Sequence, residues 1–71
     1  MKEQVSLTYA KQNFKRNIFK YGVDLSFENA ILEYYLNKEE IKNLYEYAIK
    51  NVEMSERDKY NINYLLEQYT N

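Results

Sequence analysis

Apolar side chains fall along this chain in stripes, and the spacing within each stripe predicts helices. Near the N-terminus Val5, Leu7 and Tyr9 alternate with Ser6 and Thr8, which is the period of a strand. The pattern then changes. Phe14, Ile18 and Tyr21 recur at helical spacing with Phe19 beside them, predicting a helix over about 9–21. Residues 3–8 stay open between a short extended arm and an earlier start of that helix. Gly22, the only glycine, is placed to end it in the left-handed conformation, with Val23 folding back on Ile18 in a Schellman stop.

A second helix is expected after Asp24 or Ser26, either of which can cap free amides. Its stripe is Phe27, Ala30, Ile31, Tyr34 and Tyr35. Asn37 ends it and caps the next helix, with Glu40 three residues on to complete a capping box. The third helix, over about 38–53, has the broadest apolar face: Ile41, Leu44, Tyr45, Ala48, Ile49 and Val52. Glu46 and Lys50 stand in the favourable i,i+4 order on its other side. Ser55 and Asp58 then signal a fourth helix over about 56–69, with Ile62, Leu65, Leu66 and Tyr69 facing the core. No Gly or Pro separates these last two, so one bent helix is the alternative. Short turns between such stripes predict an all-α fold, a compact bundle of three to four short helices in one domain over 1–71.

Composition narrows the chemistry. A chain of 71 residues buries only about 60% of its unfolded surface and has a thin stability margin. Cys and His are both missing, so disulfides, thiolate sites and imidazole ligands are excluded. Carboxylate-only calcium or magnesium sites stay open in principle, but no loop has the oxygen spacing of an EF-hand. No cofactor is expected. Nor is an enzyme: general acid–base work is most often done by His, and one Gly cannot build a phosphate loop. Glu39 and Glu40 are adjacent carboxylates, but a helix N-terminus explains them through its dipole.

No run approaches the roughly 18 apolar residues of a membrane span, and the N-terminus has no signal-peptide apolar region. A cytoplasmic protein without membrane contact is therefore expected. Lys, Asn, Tyr, Ile and Glu dominate and have AT-rich codons, which points to a low-GC bacterium, or to a phage or plasmid living in one.

Charge is divided unevenly. Residues 1–23 hold five bases against Glu3 and carry +4, while residues 24–71 hold five bases against ten acids and carry −5. Lys11, Lys15, Arg16 and Lys20 lie on the first helix with Gln12, Asn13 and Asn17. The plainer reading is the solvated side of an amphipathic helix. An acidic protein partner or nucleic acid is the functional alternative, since such a face can neutralise phosphates. A helix-turn-helix is disfavoured, because its reading helix would lead with Lys38, Glu39 and Glu40.

Nine of the twelve aromatic residues are Tyr, more than one small core can hold. Tyr47 falls off the stripe of the third helix, and Tyr60 and Tyr64 stand i,i+4 away from Leu65 on the fourth. These three are the candidate aromatic contact surface, with partial burial at the core's edge as the competing reading. The function expected is a non-enzymatic protein-binding regulator, inhibitor or assembly factor, with self-association into a homodimer as a subsidiary expectation. The alternative is a nucleic-acid-binding module using the basic first helix.

Overall fold

Three of the four helices begin at a residue whose side chain accepts from a free amide, and the four starts set the architecture. The computed structural model describes residues 2–71. Helix α1 spans Leu7–Tyr21, α2 Val23–Glu33, α3 Lys38–Asn51 and α4 Glu56–Thr70. Ser6 caps α1 by accepting from the Tyr9 amide at 3.1 Å, so this helix starts two residues earlier than the stripe predicts. Asn37 and Glu40 form the expected capping box on α3. Ser55 caps α4 by accepting from the Asp58 amide, and the non-helical residues 52–55 keep α3 and α4 separate.

Gly22 corrects the reading of the first turn. Its φ of 83° and ψ of 173° lie outside the left-handed helical region, so there is no Schellman stop. It closes α1 through its N–H, which donates to the Ile18 carbonyl, and opens α2 through its own carbonyl, which accepts from the Ser26 amide. One residue serves both helices, and α2 therefore begins at Val23. Asp24 and Ser26 consequently lie inside α2; Asp24 Oδ1 still accepts from the free Leu25 amide of the first turn, while Ser26 caps nothing. Ser26 is buried in the core, its hydroxyl without a hydrogen-bond partner.

A second correction concerns the end of α2. Tyr34 and Tyr35 are not helical. Tyr34 is extended, and Glu3 lies beside it in a single parallel bridge. The Glu3 amide donates to the Glu33 carbonyl at 2.8 Å, and the Tyr35 amide donates to the Glu3 carbonyl at 3.0 Å. Of residues 3–8, those before Leu7 are thus non-helical and residues 7 and 8 join α1, so each of the two readings holds in part. The Glu3 bridge helps to satisfy backbone groups left open where α2 stops.

Helix α1 packs on α2 and α3, and α4 packs on α3 and α2. Every helix sends one large apolar side chain fully into the centre: Phe14, Phe27, Leu44 and Ile62. Phe14 meets Phe27 edge-to-face at 6.2 Å between centroids, and Phe27 meets Tyr45 in the same way at 6.4 Å. Ala10 and Ala48 are also fully buried. The radius of gyration, 10.8 Å, matches the roughly 11 Å expected of a well-packed chain of this length. Among the described residues no helix is long and apolar enough to cross a membrane.

Candidate partner-binding surface

The side of α2 turned away from the core carries two leucines among its polar residues. Its buried stripe is Val23, Ser26, Phe27, Ala30 and Ile31. Leu25 and Leu32, seven residues apart and so on one face, point the other way and are each 49% exposed. A surface helix normally carries charged or polar residues there. Beside it, α4 buries Ile62 and partly buries Leu65, Leu66 and Tyr69, leaving Tyr60 73% and Tyr64 57% exposed.

Between these helices runs a shallow groove lined by Asp24, Leu25, Glu28, Asn61, Tyr64 and Leu65. Its polar walls are positioned by cross-helix hydrogen bonds. The Asn61 side-chain amide donates to Asp24 Oδ2 at 3.1 Å, and the Tyr69 hydroxyl donates to Glu28 Oε2 at 3.5 Å. Asp24 Oδ1 is held by the Leu25 amide. No cation pairs with either carboxylate; among the described residues the ion pair within 4.0 Å is Lys59 with Glu56, both on α4. The groove therefore offers an apolar floor with an uncompensated negative edge.

Tyr47 does not belong to this surface. It is partly buried against the core, and the Lys11 ammonium lies over its ring at 5.5 Å from the centroid. That contact fixes both residues in the seam between α1 and α3, so the three tyrosines singled out from the sequence form one pair and one outlier. Lys11, over that ring, is half-buried on the helix that carries the rest of the basic set. Lys15, Arg16 and Lys20 are exposed on α1. Among them stands Phe19, 98% exposed, the most solvent-exposed large apolar side chain of the described residues.

Phe19, Leu25 and Leu32 are the surface residues that sequence reasoning passed over. The signal for the leucines was present in their seven-residue spacing opposite Phe27. For Phe19 it lay in the helical angle, roughly 100° from Ile18, which turns the ring to the far side of α1.

Among the described residues no three His, Cys, Asp or Glu side chains converge as metal ligands. Burial raises the Tyr34 phenol above its ordinary value, and Tyr34 belongs to the core rather than to the groove. No family model, no curated protein and no solved structure matches this chain.

Proposed function

We propose that this is a small non-enzymatic binding protein, a regulator, inhibitor or assembly factor, that docks on another protein through the α2–α4 face. The supporting observation is the set of exposed large apolar side chains on these two helices: Leu25, Leu32, Tyr60 and Tyr64. Tyr suits such a role because its ring excludes water while its hydroxyl keeps a polar contact, and interface hot spots are enriched in it. The apolar floor supplies affinity, and the carboxylates of Asp24 and Glu28 select a partner with basic groups at its rim.

Nucleic acid on the basic face of α1 is the weaker reading. Phe19 offers a ring on which a base could stack, but a protein partner uses the ring equally well. The acids of the other helices also bring the whole chain to −1, which opposes a long polyanion.

The test is affinity capture from the cells that encode the protein, comparing wild type with a Tyr60→Ala/Tyr64→Ala double variant. Both side chains are largely exposed, so the variant should keep its helical circular dichroism. A defined protein retained by wild type and reduced at least about tenfold by the variant is the expected result. Equal retention by both would remove the α2–α4 face from the reading.

A further inference from the structure

We infer that the exposed face of α1 takes an acidic peptide segment of a protein, which lays an apolar side chain beside Phe19 and its carboxylates on Lys15 and Arg16. This site is separate from the α2–α4 face and does not rest on the reading given to that face.

The site is built where the last turn of α1 meets the end of α3. Ile18, Phe19 and Val52 line a depression there, with Lys15, Asn51 and Glu53 at its sides. Ile18 and Val52 are partly buried against the core, so the floor is anchored, while Phe19 stands 98% exposed as one wall. The α3 wall is held from within. The Asn51 side-chain amide donates to the Tyr47 carbonyl at 3.0 Å, and the Val52 amide donates to the Ala48 carbonyl at 3.0 Å. A wall fixed in this way has little left to order on binding. An apolar side chain seated here would remove the Phe19 ring and the exposed edges of Ile18 and Val52 from water.

Charge decides the occupant. Residues three and four apart on a helix are neighbours, so Lys15 and Arg16 flank Phe19 one turn before it. Helix α1 contains four bases and no acid, and among the described residues no carboxylate comes within 4.0 Å of the Lys15, Arg16 or Lys20 cations. The carboxylate that does line the depression is Glu53, just past the end of α3. The site is therefore polarised, with cations on its α1 side and one anion on its α3 side. A matching peptide sets its acids toward α1 and a neutral or basic residue toward Glu53. Nucleic acid fits less well, because a phosphate backbone is negative throughout and Glu53 would repel it.

The test titrates the isotope-labelled full chain with three probes and follows its nuclear magnetic resonance signals. The probes are a short peptide with one Leu among Asp and Glu residues, the same peptide with Lys at every acid, and single-stranded oligothymidine. The acidic peptide is expected to shift Lys15, Phe19 and Val52 together and to bind more weakly as salt is raised. Its affinity should fall about tenfold or more in Phe19→Ala and in Lys15→Glu/Arg16→Glu. Glu53→Gln, which removes the opposing charge, should raise it about threefold. All four positions are exposed, so each variant should keep the wild-type circular dichroism. No shift at Lys15, Phe19 and Val52 overturns the inference, as does equal binding of the acidic and Lys-bearing peptides or binding indifferent to Phe19→Ala. Oligothymidine bound there more tightly than the acidic peptide would give the face to nucleic acid. Binding lost in Tyr60→Ala/Tyr64→Ala would move the peptide to the α2–α4 face, overturning this site and leaving that reading standing.

Discussion

The hydroxyls of Ser26 and Tyr34 are both carried by buried residues, yet only one has a partner. Tyr34 accepts a hydrogen bond from the Asn13 side-chain amide, and its ring meets Tyr9 edge-to-face at 6.0 Å. Ser26 occupies a core slot where its hydroxyl bonds nothing, a cost that the surrounding packing offsets. Burial, then the nearby Tyr9 and Glu33, raise the Tyr34 pKa above 10.0, while the Asn13 bond opposes the shift. A raised value means that the folded state holds the phenolic proton more tightly than the unfolded state. The stabilisation is complete below pH 10 and is lost as pH climbs through the folded value. Tyr34→Phe should therefore cost about 1 kcal/mol at neutral pH through the lost hydrogen bond. Above pH 10 the variant should lose stability less steeply than wild type, so the gap in urea midpoint narrows. A gap that widens at alkaline pH would contradict this.

Gly22 joins the first two helices in a conformation that residues with a side chain rarely adopt. A Cβ added there would meet only Asp24 Oδ1, at 3.9 Å, so the obstacle is backbone strain rather than crowding. Gly22→Ala should destabilise the fold by about 1 to 3 kcal/mol, which for a domain of this size lowers the melting temperature by about 4–8 °C per kcal/mol. An unchanged melting temperature would show that the corner is not under that constraint. The same junction shows what could be read from the sequence. Helix α3 was readable because its signals are local: Asn37, Glu40 and a stripe of Ile41, Leu44 and Ala48. Helix α4 was readable for the same reason. The start of α2 was not, because Asp24 and Ser26 are good caps wherever a cap is needed, and Gly22 had already filled the position. Its end was misread because Tyr34 continues the helical spacing while Glu3, distant in sequence, pulls it into a bridge. The fate of Tyr47 depended on Lys11 in the same way.

Taken whole, the molecule separates its charges and its exposed apolar groups onto two surfaces. Helix α1 presents cations around Phe19, and the α2–α4 face presents tyrosines and leucines beside acids. The sequence pointed to the asymmetry and to Tyr60 and Tyr64, but not to the groove, because a groove exists only once α4 packs against α2.

The α2–α4 face is tested most directly by nuclear magnetic resonance of the isotope-labelled protein, titrated with the partner recovered by affinity capture. Signals of Leu25, Leu32, Tyr60 and Tyr64 should shift together and saturate together, with α3 left unperturbed. Shifts confined to α1 and α3, with those four side chains unmoved, would contradict the assignment of this face as the binding surface.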